Sequence, residues 1–195
     1  MSSKGRRSPR DSALAALQRL SRERPHINDL WAIVVDAEEK LANDFAFVLV
    51  LAAAVEQALE LAISSHFVLD EEAAERMFDD QSNGSLGTFA AKIKMGFALG
   101  IYEKHVRDEL DMIRVIRNVF AHHKGAISFE SDGIKDGCNT LFIPNKWRLV
   151  HQDTPQTAKE RFYNSVRMLY VYLEDPLPPQ PKKFETHPFY SALRK

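Results

Sequence analysis

The chain has 195 residues, 45% of them hydrophobic, so it is long enough for one well-buried core. Its net charge of -1 gives no overall attraction to nucleic acid or membranes, and its 8 Gly and 9 Pro exclude collagen-like and low-complexity classes. The single cysteine, Cys138, excludes an intrachain disulfide framework. The start of the sequence also has no apolar leader segment. From the single cysteine and this missing leader we expect a cytoplasmic protein.

Residues 1–27 are predicted to form a basic, partly disordered arm. The first 24 residues hold seven Lys or Arg against two acids. One interpretation is a solvated tail, and the other is a nucleic-acid contact through Arg6, Arg7 and Arg10. At the other end, residues 176–195 contain most of the prolines and form a predicted Pro-rich tail.

Residues 28–175 are predicted to form a single all-α domain, a helical bundle of about six to eight helices. The first helix begins with Asn28 or Asp29 as its N-cap, and the second runs from about Asn43 to Phe67. This second helix is apolar on almost every side in its first half. We expect it to be the buried centre of the core and not a membrane anchor.

Turn and cap residues divide the middle of the chain. The acidic stretch from residue 70 to 80 indicates a short helix and a loop. Ser85 is the predicted N-cap of a helix that ends at Gly100, and the spacing of Gly96 and Gly100 indicates a close backbone approach.

The second half of the domain is predicted to hold two further helices around an irregular connection. The first covers about residues 103–121 and is closed by Gly125. Residues 126–150 are expected to be irregular, with at most a turn of helix around Ile134 and Cys138. The last helix starts with Thr154 as N-cap and Pro155 at its first position.

The densest polar cluster lies at the end of the 103–121 helix, in the sequence IRVIRNVFAHHKG. Arg117 follows Ile113 by four residues, so its guanidinium lies beside the apolar stripe and needs an anionic partner. Glu56 and Glu60, one turn apart on the most apolar helix, need a cation. We therefore predict an ion pair between Arg117 and one of these carboxylates. The remaining candidate binding residues are Arg114, His123 and Lys124.

A catalytic interpretation of this cluster stands beside the structural one. Arg117 and His122 facing one phosphate would suit metal-independent RNA cleavage, with His122 as general acid or base and Asn118 as the orienting residue. Because they are five residues apart, a regular helix separates them by about 140°. They converge only if the helix ends near Ala121 or if two chains share a site across a two-fold axis.

Two resemblances extend this interpretation. Residues 117–122, RNVFAH, resemble the RNxxxH signature of HEPN-type helical domains, many of which are metal-independent ribonucleases while others bind nucleic acid or partners. Residues 85–101, SLGTFAAKIKMGFALGI, with residues 110–122, LDMIRVIRNVFAH, are similar to the central block of the mannitol operon repressor (MltR) family. These resemblances imply an HEPN-like, all-helical bacterial regulator of sugar-alcohol operon expression.

The helix that carries this motif is a poor candidate for reading DNA. Its first half contains Asp108, Glu109 and Asp111 beside a similar number of cations. Because these charges nearly balance, the helix would attract phosphates only weakly. We therefore expect an MltR-like repressor or co-repressor that acts through a protein partner or as a homodimer. The alternative is an HEPN-type ribonuclease, so an enzymatic activity stays open. No P-loop, GxGxxG or metal-ligand spacing is present in the sequence, and we expect no metal or cofactor.

Overall fold

In a computed structural model of the protein, the described residues are 16–17, 27–41, 43–67, 71–79, 84–144 and 157–174. Within these ranges the chain forms seven α-helices and no strand, which confirms the predicted all-α class. The helices are α1 (Ile27–Lys40), α2 (Asp44–Ser64), α3 (Glu71–Phe78), α4 (Phe89–Leu99), α5 (Lys104–His122), α6 (Asp132–Asn139) and α7 (Ala158–Glu174). The predictions that fall outside the described residues are those for Arg6, Arg7, Arg10, Thr154, Pro155 and the tail 176–195.

α2 is the central helix of the bundle. It packs against α1, α4, α5 and α7, and residues such as Phe47, Leu51 and Leu59 are fully buried along it. Asn43 is its N-cap, and its side-chain oxygen accepts a hydrogen bond from the backbone N–H of Phe45 at 2.8 Å. α2 has the length and hydropathy of a membrane-crossing helix, yet most of it is covered by the neighbouring helices. The structure therefore places it as the predicted core helix.

Two predicted helix caps differ from the observed ones. α1 begins at Ile27, so Asn28 and Asp29 lie in its first turn and neither is its N-cap. α4 begins later than its turn residues suggested: its N-cap is Thr88, whose Oγ1 accepts from Ala91 N–H at 3.2 Å. Ser85 lies in the preceding turn, because Leu86 and Gly87 complete that turn before the helix starts.

The two glycines of α4 have different roles. Gly100 ends the helix with φ of 74°, a left-handed conformation that glycine adopts without steric cost. Gly96 makes the close approach, but to a side chain: a Cβ there would lie 2.7 Å from the Tyr102 hydroxyl, which donates to Ile93 O at 2.6 Å. The predicted backbone-to-backbone contact is therefore replaced by the packing of Tyr102 on α4.

The end of α5 and the segment after it also differ from the prediction. α5 ends at His122 with His123 in an extended conformation, so Gly125 does not supply a left-handed cap. The predicted irregular stretch contains α6, a regular helix of about two turns that buries Ile134 and Cys138. Arg161 of α7 donates to the carbonyl oxygens of Cys138, Asn139 and Leu141. This side chain adds hydrogen bonds to carbonyls at the C-terminal end of α6 and ties that end to α7.

Candidate functional site

A buried ionic cluster joins α2 to α4. The Nζ atom of Lys92 lies 2.9 Å from Glu56 Oε1 and 2.8 Å from Glu60 Oε2, and Lys92 is only 6% exposed. Both carboxylates therefore have a cationic partner inside the core, as their positions require. The sequence contains a signal for Lys92 that our prediction missed: it stands on the apolar stripe of α4, between Phe89 and Gly96.

Arg117 is the second and weaker cation of this cluster. Its Nη2 lies 3.8 Å from Glu56 Oε2, so the predicted pair is present, while its Nη1 donates to Asn118 Oδ1 at 3.0 Å. The Arg117 side chain is 36% exposed, whereas Lys92 is buried and closer to both carboxylates. The predicted pair of Arg117 with Glu56 is therefore confirmed, and α4 contributes Lys92 as a closer cation that was not predicted.

The exposed side of α5 carries a shallow depression of about 390 Å³. Its lining residues are Val115, Asn118, Val119, His122 and His123. The structure thus brings Asn118 and His122 together at one surface. Arg117 does not line this depression, because its guanidinium lies beside Glu56.

A second depression, of about 360 Å³, runs between α5 and α6. It shares Val115, Val119 and His123 with the first, so the two form one continuous surface. Its other lining residues are Met112, Ile116, Ile127, Ser131, Gly133, Ile134 and Gly137. Most of these side chains are apolar, whereas the polar groups gather at the His123 end.

The other predicted binding residues lie apart from this surface or at its edge. Arg114 pairs with Asp111 of its own helix, with Nη2 3.1 Å from Oδ1. The Nδ1 atom of His123 lies 3.1 Å from both the N–H and the carbonyl oxygen of Gly125, and this contact holds the imidazole ring at the end of α5. Lys124 is exposed in the turn that follows.

Glu109 is a buried polar residue that our prediction treated only as surface charge. It is 3% exposed and accepts hydrogen bonds from Phe142 N–H at 2.7 Å, Ile143 N–H at 3.2 Å and Ser165 Oγ at 2.6 Å. Burial raises the pKa of Glu109 above its ordinary value, although these hydrogen bonds and Arg161 act in the opposite direction. The carboxylate ties the segment after α6 to α5 and α7.

No three His, Cys, Asp or Glu side chains come together in the described part of the chain in a way that could hold a metal ion. Cys138 is buried in α6, which packs against α5 and α7, and burial raises the pKa of its thiol to about 12. Its thiol therefore stays protonated and unreactive at neutral pH.

Neither a family model nor a curated protein sequence matches the chain. A solved structure does match it: the X-ray structure of the MtlR–HPr complex from Escherichia coli, with a TM-score of 0.58 at 15% sequence identity. The match covers 74% of this chain and 97% of the matched chain, which is MtlR. The chain has the MtlR fold. Almost the whole MtlR chain therefore has a structural counterpart here.

Within this MtlR fold, α5 carries the candidate site on two sides. One side faces α2 and contributes Arg117 to the buried ionic cluster. The other side is open and contributes Val115, Asn118, Val119 and His122 to the surface depression. The site is thus a solvent-facing surface on a helix whose inner side contacts the buried ionic cluster.

Proposed function

We propose that this chain is a cytoplasmic regulatory protein that acts by binding a protein partner, with HPr as the first candidate. One observation carries the proposal: the chain shares its fold, over 97% of the matched chain, with an MtlR that was solved in a complex with HPr. The similarity of residues 85–101 and 110–122 to the mannitol operon repressor family supports a role in transcriptional repression or co-repression.

The charges on α5 support a protein partner over direct DNA reading. Cations in the first half of this helix are paired with acids of the same helix: Lys104 with Asp108 at 2.5 Å and Arg107 with Asp108 at 2.7 Å. Arg114 is likewise paired with Asp111. Phosphates would have to compete with these carboxylates for every contact.

Isothermal titration calorimetry tests the proposal. The full-length protein is titrated with purified HPr from the same organism. We expect saturable 1:1 binding with a Kd in about the micromolar range, which is typical of transient regulatory complexes. An unrelated protein of similar size is the control. The absence of binding heat, together with separate elution of the two proteins in gel filtration, would contradict HPr as the partner.

A second candidate function is a metal-independent endoribonuclease of HEPN type. The observation that favours it is that Asn118 and His122 line one depression, with Arg117 bonded to Asn118. In this mechanism His122 acts as the general acid or base, and Asn118 orients the catalytic side chains. Arg117 would break its contact with Glu56 and stabilise the negative charge on the phosphate.

Incubation of the purified protein with total RNA in excess EDTA tests this second candidate. Cleavage with 2′,3′-cyclic phosphate ends that is lost in His122→Ala would establish the nuclease. Identical RNA cleavage products for the wild type and the variant would contradict the ribonuclease function. Self-association and phosphate binding by Arg6, Arg7 and Arg10 also remain predictions, which sedimentation and RNA-binding measurements can test.

A further inference from the structure

We infer that the surface formed by Val115, Asn118, Val119, His122 and His123, here called the α5 surface, binds an acidic side chain that is flanked by apolar side chains on a protein partner. The inference rests on the proposed function and deepens it, because it names the binding surface and the chemistry of the partner.

The floor of the α5 surface is aliphatic. Val115 and Val119 are 45% and 36% exposed and lie one turn apart on the same side of α5. The floor continues toward α6, where the helix presents glycines. A Cβ at Gly133 would meet nothing within 4 Å, so this wall leaves room for apolar side chains of a partner.

The polar groups around this floor are oriented as hydrogen-bond donors. Because Arg117 Nη1 donates to Asn118 Oδ1, the amide nitrogen of Asn118 is left to donate elsewhere. The Nδ1 atom of His123 lies 3.1 Å from both the N–H and the carbonyl oxygen of Gly125, so Nε2 is the ring nitrogen left for a ligand. In the tautomer in which Nδ1 accepts from Gly125 N–H, Nε2 is also a donor. A ligand that only accepts hydrogen bonds, such as a carboxylate, matches both groups.

The local charge also favours an anion. Residues 115–125 contain Arg117 and Lys124 but no Asp or Glu. The exposed carboxylates of Asp132 and Asp136 on the neighbouring helix line neither depression. An acidic group at the His123 end would therefore meet no carboxylate among the lining residues, which contributes to specificity.

The lining favours a protein over RNA as the source of this acidic group. The side chains that line the two depressions are aliphatic or short, apart from His122 and His123, and none is Phe, Tyr or Trp. Single-stranded nucleic acids are bound mainly by aromatic stacking and several cations. An aliphatic floor beside a few donors instead resembles the apolar centre and polar rim of a protein interface.

Nuclear magnetic resonance of the isotope-labelled full-length protein tests the inference, with the peptide acetyl-Leu-Glu-Leu-amide as probe. We expect saturable shifts of the Val115 and Val119 methyls, the Asn118 side-chain amide and the rings of His122 and His123. The matched peptide with Gln in place of Glu should bind about tenfold more weakly, because it lacks the charge.

Two variants of the protein complete the experiment. Asn118→Asp keeps an oxygen for Arg117 but replaces the donor by a negative charge, so it should abolish the response. Val171→Asp adds the same charge at a 44% exposed position of α7 and should respond like the wild type.

Equal binding of the two peptides, no saturable shift at millimolar concentrations, or shifts outside the α5 surface would overturn the inference. So would stronger binding of a uridine hexanucleotide at these same residues. A separate measurement of HPr binding distinguishes the two proposals. If HPr binds at another surface, the proposed function stands and this inference is wrong. If the peptide binds at the α5 surface and HPr does not bind, this inference stands and HPr is not the partner.

Discussion

At the scale of single residues, Lys92 has the largest predicted effect on stability. It is the close partner of two carboxylates on the central helix. We expect Lys92→Met to lower the free energy of unfolding by about 3–5 kcal/mol, because it leaves buried charges without their nearest cation. Urea denaturation measures this loss. Lys94→Met, at an exposed position of the same helix, is the control and should stay within about 0.5 kcal/mol of the wild type.

Arg117 should matter much less for stability than Lys92. Its contact with Glu56 is 3.8 Å long and its side chain is partly exposed, so solvent screens the pair. We expect Arg117→Ala to lower the free energy of unfolding by about 1 kcal/mol in the same urea experiment. A loss as large as that of Lys92→Met would show that Arg117 is an equal member of the buried cluster.

Glu109 should give the protein a measurable dependence on pH. Burial raises its pKa in the folded state above the ordinary value of 4.5, so the folded protein binds this proton more tightly than the unfolded chain. The stability of the wild type relative to Glu109→Gln should therefore increase as the pH falls from neutral toward about 4.5, and level off below it. Urea denaturation of both proteins across this pH range measures the difference. A difference that is constant, or that decreases with falling pH, would contradict the assignment.

At the scale of helices, the start of α4 offers a direct test of which residue is the cap. Thr88 Oγ1 accepts from Ala91 N–H, whereas Ser85 lies in the preceding turn. We expect Thr88→Ala to lower the free energy of unfolding by about 1 kcal/mol and Ser85→Ala to change it by less than about 0.5 kcal/mol. Thermal unfolding of the two variants makes the comparison. The reverse order would restore Ser85 as the cap.

The sequence was sufficient to predict α2 and α5 because their apolar patterns are long and strongly periodic. It was insufficient for α6, where two glycines in eight residues weaken the local preference for helix. That helix is completed by Arg161 of α7, a contact between residues more than twenty positions apart. Glu109 and Lys92 were missed for a related reason: a charge on an apolar stripe signals a buried partner, but the identity of the partner depends on tertiary packing.

At the scale of the whole molecule, α5 links the core of the bundle to its surface. Arg117 contacts Glu56 on the inner side and Asn118 on the outer side, so one side chain connects the ionic cluster to the α5 surface. The sequence placed these residues close together along one helix. Because α5 continues to His122, Arg117 and His122 lie on different sides of the helix, as their five-residue spacing predicts for a regular helix. The sequence did not reveal that Lys92 of α4 would be the closer cation for Glu56.

We propose that this protein, which has the MtlR fold, regulates transcription through a protein partner bound at the α5 surface. The most direct measurement is transcript abundance in a strain that lacks the gene, complemented with the wild type, Val119→Asp or Val171→Asp. We expect that deletion raises the transcripts of a specific operon, that the wild type and Val171→Asp restore repression, and that Val119→Asp does not. Unchanged transcripts after deletion, or full repression by Val119→Asp at equal protein level, would contradict it.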